Sequence, residues 1–206
     1  MSEQKVRNVG IVLFEQAELL DFAGPYEAFS SAGREKEEHF RTFTVGQQTG
    51  VITSYNGLPC GVDYDFTNHP HIDVLVVPGG RGTRVEIDNP VMIDWIKQVA
   101  SEAELTTSVC TGSFLLAKAG LLEEKQATTH WGSISRMREQ FPNTDVLENV
   151  RYVDAGDVVS SAGVSAGIDM SLYVIERLSG RDAAASAARV MEYDYWTADE
   201  DATVAS

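Results

Sequence analysis

Short apolar runs of strand length alternate along this chain with segments whose apolar residues recur at helical spacing. Residues 8–14, "NVGIVLF", are apolar and β-branched and predict a buried strand. "DFAGPYEAFSSAG" follows as a helix, with Asp21 near its start and Gly33 near its end. "FRTFTVG" has strand character, and the turn-rich, aromatic "VITSYNGLPCGVDYDF" suits a hairpin or an irregular crossover. "IDVLVVPGG" predicts a strong buried strand that breaks at Pro78-Gly79-Gly80. "NPVMIDWIKQVASEA" is a helix opened by Asn89 as cap, with Pro90 in its first turn.

The next pair is the strand "LTTSVC" and the helix "TGSFLLAKAGLL". "SISRMREQF" reads as helix, and "VRYVDAGDVVSSAG" as a hairpin turning at Ala155-Gly156. "SAGIDMSLYVIERLSG" and "RDAAASAARVMEY" are the closing helices. Strands that alternate with helices predict an α/β fold, a three-layer sandwich with a largely parallel sheet between helical layers. With no repeat and no linker, residues 1–196 read as a single domain. Residues 197–206 read as a polar, acidic tail that is expected to fray.

Composition narrows the function classes. A chain of 206 residues has room for one substantial core. Its net charge of −15 argues against nucleic acid and anionic membranes as partners, because their phosphates would be repelled. Eleven Arg and five Lys face 31 acidic residues, which fits either a salt-adapted surface or an ordinary acidic protein. Cys60 and Cys110 are too few for a disulfide framework. No apolar run approaches the ~20 residues that span a bilayer. The amino terminus enters a strand without a signal-peptide profile, so a reduced, cytoplasmic setting is expected. No spacing of His, Cys and carboxylates makes a metal set.

The chemistry gathers where strands end. In doubly wound sheets, binding groups lie outside the carboxyl ends of the strands. Cys110 stands where "TTSV" gives way to a helix, the position of a nucleophile elbow. Unpaired N–H groups at that helix start favour thiolate, so a pKa below the free value of ~8.5 is expected. The same N–H groups suit developing negative charge on a substrate. Gly80, without a side chain, lets a second backbone approach closely. Asp21 suits a helix N-cap. It also suits a buried acid near the sulfur, and the two roles are compatible. Free Cys often only packs, and that reading stands beside the reactive one.

Together "VVPGGRG", "SVCTGSFLLAKAGLL" and "ATTHWGS" resemble the ThiJ/PfpI superfamily, whose fold is similar to class I glutamine amidotransferases. The likeness runs from the first strand to the last helices and implies a flavodoxin-like sheet. "LLDFAGP" with "VCTGS" and "ATTHW" is most similar to the isonitrile hydratases. That resemblance implies hydration of R–N≡C to an N-substituted formamide by a cofactor-free homodimer. It puts the catalytic Cys at Cys110, the catalytic Asp at Asp21, the following Thr at Thr111 and the oxyanion-hole glycine at Gly80. On this reading Cys110 attacks the isonitrile carbon, Asp21 protonates it, and water opens the resulting thioimidate. Thr111 orients Asp21 or the water, and the Gly80 and Thr111 amides polarise the reacting group.

Two other readings remain. A glyoxalase-like or deglycase-like enzyme is the first, although members with those activities carry Glu where this chain has Asp21. A non-catalytic redox or small-molecule sensor is the second, since AraC-type regulators carry a near-identical "CTGSFLLA" string. A DNA-binding version needs a further helix-turn-helix domain of roughly a hundred residues and basic groups. Peptidase members place His directly after the nucleophile, where this chain has Thr111. His130, in "TTHW", is a near-site candidate. Arg81 and Arg84 stand where hydratases are expected to have small neutral residues, and they bear on substrate shape. His39, His69 and His71 read as surface loop residues, and Cys60 as an incidental turn residue. Asp169 reads as a first-turn complement to its helix dipole.

Overall fold

The computed structural model describes residues 5–32, 39–194 and 202–204. Chain order begins β1 (Arg7–Val12), α1 (Leu19–Ser31), β2 (Phe40–Gly46), β3 (Gly50–Thr53), β4 (Pro59–Val62), β5 (Tyr64–Asp65) and β6 (Val74–Val77). It continues α2 (Thr83–Glu86), α3 (Pro90–Glu102), β7 (Leu105–Val109), α4 (Gly112–Lys118), β8 (Gln126–Ala127) and α5 (Ile134–Gln140). It closes with β9 (Asp145–Val146), β10 (Tyr152–Asp154), β11 (Val158–Ser161), α6 (Ala166–Ser179), α7 (Arg181–Val190) and β12 (Ala202–Val204).

Eight of these strands form one sheet in the order β12-β10-β11-β7-β6-β1-β2-β5. Only β10 and β11 pair antiparallel in it. The order reverses at β1, which sends the chain first to β2 and later back to β6 on its other side. A parallel sheet must be covered on both faces, and its strands show that. β6 and β7 are buried along their whole lengths. Helices α1, α6 and α7 pack on one another, while α3 contacts α4. The helices flank the mostly parallel sheet, and since parallel crossovers are right-handed as a rule, the two groups fall on opposite faces of the expected three-layer α/β sandwich.

Local signals explain the helix limits. Asn89 caps α3 through its side chain, which accepts the Val91 N–H at 3.1 Å, and Pro90 opens the helix as expected. α4 is shorter than its apolar pattern suggested. It stops at Lys118 because Gly120 takes φ +80° and the Leu121 N–H turns back to the Leu116 carbonyl at 3.0 Å. That is a Schellman-type ending, which glycine allows at no steric cost. The hairpin turn at Ala155-Gly156 forms as read, with Gly156 at φ +90°.

Other expectations are corrected. Residues 50–62 form the antiparallel β3–β4 hairpin, which places Cys60 on a strand opposite Ile52 rather than in a turn. Of the tail expected to fray, residues 202–204 pair parallel with β10 at the sheet edge. The remainder of 197–206, like Gly33, lies outside the described residues. His69 is not a free surface residue, because it accepts the Trp95 indole N–H at 3.1 Å. Among the described residues no helix is long and apolar enough to cross a membrane.

Register positions the site. Val77 of β6 lies opposite Ser108 of β7, so Gly79 and Cys110 leave the sheet side by side. α1 follows β1 and brings Asp21 to the same edge, beside the point where strand order reverses. Open α/β sheets hold their ligands at this crevice.

Candidate active site

Cys110 takes φ 57°, a left-handed conformation that costs a non-glycine residue about 1–3 kcal/mol. Its surroundings hold it there. Its N–H is shared between the Ser161 and Ala162 carbonyls, each at 3.1 Å. Its carbonyl accepts the Ser113 hydroxyl at 3.0 Å and the Thr129 hydroxyl at 2.9 Å. Four contacts from three separate parts of the chain therefore impose the elbow.

Gly79 sits between the thiol and the acid. A Cβ there would lie 2.8 Å from Cys110 Cβ, 2.6 Å from Thr111 N and 2.8 Å from Asp21 Oδ2, so no side chain fits. Gly80 does admit a second backbone: it bridges to Ala17, and a Cβ would fall 2.4 Å from Glu18 N. Its amide, however, donates to Thr111 Oγ1 at 3.0 Å and is not free to polarise a substrate. The same Thr111 oxygen meets the Thr83 hydroxyl at 3.1 Å.

Asp21 is not the cap of α1. Glu18 holds that position without a side-chain bond, and Asp21 is the third helical residue. It is fully buried, and its Oδ2 accepts the Gly79 N–H at 3.0 Å. Burial pushes its pKa up to about 7, and the charge of Glu18 acts the same way. The N–H groups of Gly79 and Val164 and the Cys110 thiol pull it back only in part.

The thiol moves opposite to the sequence expectation. Burial, then the Asp21 carboxylate, push the Cys110 pKa up, while the Thr111 N–H and hydroxyl favour the thiolate. The start of a seven-residue helix does not outweigh lost hydration and an adjacent negative charge. A testable consequence follows for alkylation. Asp21→Asn removes that charge, so iodoacetamide should label Cys110 faster in the variant than in the wild type at pH 8. Slower labelling would mean that Asp21 does not act on the sulfur.

Cys110 opens onto a cavity of about 370 Å³, whose wall also includes Gly80, Thr111, His130 and Val164. His130 packs against Gly163, where a Cβ would come 2.3 Å from its ring, and its Nδ1 accepts the Gly132 N–H at 3.1 Å. Among the described residues it makes no hydrogen bond to Cys110 or Asp21, and so it serves as wall. Cys60 lies on β4 outside the cavity wall, its thiol raised by burial. Asp169 is buried and accepts Arg151 and, at 2.8 Å, the Tyr193 hydroxyl, tying α6 to its neighbours. Among the described residues no group of three or more His, Cys, Asp and Glu is placed to hold a metal.

Sequence reasoning marked Gly79 only as part of a strand end and missed Val164, Thr129, Ser113 and Arg136. Thr129 and Ser113 lie inside the motifs quoted for the resemblance, so a signal existed for both. Arg136 sits in an ordinary helical segment with no such signal.

A strained cysteine at a strand-to-helix elbow, with a buried carboxyl beside it at the switch point of a parallel sheet, defines a cysteine-centred α/β protein. The chain belongs to the DJ-1/PfpI family, whose pattern it matches over residues 7–177. It is 33% identical to the isonitrile hydratase of Pseudomonas putida over 186 residues, covering 90% of this chain and 78% of that protein. A deglycase of Pyrococcus abyssi is 30% identical over 165 residues, 79% of this chain and 91% of that one. The transcriptional regulator GbdR of Pseudomonas aeruginosa is 27% identical over 91% of this chain, which spans 51% of that regulator's length. A ThiJ/PfpI family protein from Pseudomonas syringae has the same fold, with a TM-score of 0.83 and 27% identity over 93% of this chain and 76% of its own.

Proposed function

We propose that this protein hydrates an isonitrile to an N-substituted formamide, with Cys110 as nucleophile. The observation that carries the reading is the pair at the sheet edge: a thiol on a strained elbow beside a fully buried carboxyl that it interacts with directly. Its likeness to the hydratase of Pseudomonas putida supports it.

Both raised pKa values have a use. The resting pair is a thiol and a carboxyl whose pKa of about 7 matches neutral solution, as suits general acid–base work. As the Cys110 sulfur bonds to the terminal isonitrile carbon, Asp21 takes the thiol proton. The lone pair developing on that carbon then takes the same proton from Asp21. The product is the thioimidate R–N=CH–S–Cys, with Asp21 again a carboxylate. Asp21 next deprotonates a water that adds to this carbon. Asp21 returns that proton to nitrogen, C=O forms as the C–S bond breaks, the remaining hydroxyl proton passes through Asp21 to the sulfur, and R–NH–CHO leaves.

The Thr111 N–H supports charge on the sulfur, while Gly80 holds the Thr111 hydroxyl in place rather than binding substrate. Oxidation sensing fits less well, because easily oxidised thiols are exposed and of low pKa. Cys110 is 7% exposed, and its environment favours the thiol.

The test is direct. Purified protein with an alkyl or aryl isonitrile should yield the formamide, measured chromatographically, with methylglyoxal as a parallel substrate. Turnover of methylglyoxal without formamide would replace this reading by the deglycase-like one.

A further inference from the structure

The cavity above Cys110 has a charge that its catalytic groups do not require. Arg81, Arg84 and Arg136 all line it, with Glu18 as the acidic residue of the wall. Elsewhere in the molecule arginines rest on carboxylates: Arg7 on Glu104, Arg151 on Asp169 and Arg177 on Asp154. The three cavity arginines make no ion pair among the described residues. A protein of net charge −15 has carboxylates in abundance, yet among the described residues the nearby Glu18 and Asp88 form no ion pair with these groups.

Arg136 is the most constrained of the three. Its guanidinium carbon lies 4.2 Å from the centre of the Phe114 ring, a cation–π contact that holds the plane. Its Nε is buried and has no hydrogen-bond partner. Leaving such a donor unsatisfied is costly, so natural structures keep one only where something else offsets it. Burial, and after it the charge of Arg84, hold Arg136 below its usual pKa, which places like charges close together. Arg84 and Arg136 also share the wall of a smaller adjoining recess floored by Phe114.

We infer that this pocket takes a substrate bearing a carboxylate, held by Arg81, Arg84 and Arg136 while its isonitrile carbon faces Cys110. The inference rests on the reaction proposed above and adds the substrate class. Guanidinium groups recognise carboxylates through paired N–H donors. With Glu18 offsetting one of three positive charges, a small anion balances the site better than a neutral ligand does. The overall negative surface would repel an anion, so local arginines are what make its capture favourable.

Binding and turnover test this separately. The formamide product N-formylglycine and its neutral analogue N-formylglycinamide are titrated into the protein by calorimetry. The anion is expected to bind at least about tenfold more tightly, with the preference shrinking as salt rises. In Arg84→Gln and in Arg136→Gln that ratio should fall toward one, and Arg136→Lys should keep part of it. Thermal melts confirm that each variant is folded, and Arg84, being exposed, provides a test that does not disturb packing. Equal affinity for the two ligands, or a ratio untouched by all the variants, would overturn the inference. In parallel, isocyanoacetate should be turned over with higher kcat/KM than its methyl ester. Turnover of both without preference would sink the carboxylate assignment and leave the reaction standing. Selective binding without any formamide would do the reverse.

Discussion

Cys110→Ala is expected to remain folded and to release formamide from an isonitrile at no more than the background rate. The sulfur is the only atom at the elbow able to form the thioimidate, and covalent catalysis ends without it. The backbone bonds that hold φ 57° come from Ser161, Ala162, Ser113 and Thr129, and none uses the Cys110 side chain. Structure and activity should therefore separate cleanly. Cys60→Ala is the control, since Cys60 lies on β4 and is not part of the wall of the cavity above Cys110. The measurement is formamide yield alongside the melting curve of each variant. Equal losses from the two substitutions would mark a structural effect, and retained turnover in Cys110→Ala would remove the nucleophile.

Asp21→Asn should lose at least ~100-fold in isonitrile hydration, the lower range of general acid–base contributions. Asn keeps the shape and can still accept from Gly79, but it does not carry a proton between sulfur and carbon. Asp21→Glu should be intermediate, because the added methylene moves the carboxyl by about 1.5 Å and a misplacement of ~1 Å can cost ~100-fold.

Stability should move the other way. In the fold Asp21 has a pKa of about 7, against ~3.9 for an unfolded Asp. The native state therefore binds this proton more tightly. The contribution is fully present below about pH 4 and is lost as pH rises through about 7. A shift of about three units corresponds to an upper bound of about 4 kcal/mol. Asn stays neutral throughout, so the variant should melt close to wild type at pH 4 and above it at pH 8. A variant less stable at pH 8 than at pH 4, relative to wild type, would show that the buried carboxylate is not the costly group. A variant with near wild-type turnover would remove the acid from the mechanism.

Much of the architecture was legible because it is written in local periods and end signals. β2 falls on "FRTFTVG" residue for residue, and α3 begins behind Asn89 and Pro90 as read. The elbow was legible for the same reason, since a β-branched run ending in Cys-Thr-Gly is a local pattern. Even the one α4 boundary that was overrun carried its stop signal in Gly120.

The rest of the site depends on groups distant in the chain. Asp21 and Gly79 are 58 positions apart, and their contact exists because β1 and β6 are neighbours in the sheet. The direction of the Cys110 pKa follows from that meeting. The helix start alone argues downward, whereas burial and a carboxylate from another element argue upward and prevail. The Gly80 amide was claimed by the Thr111 hydroxyl for the same reason, across 31 positions. Arg136 joins Arg81 and Arg84 only once α5 is folded over α4 and its Phe114. Local sequence states which elements form and where they stop; hydration, charge and donor engagement belong to neighbours that only packing brings together.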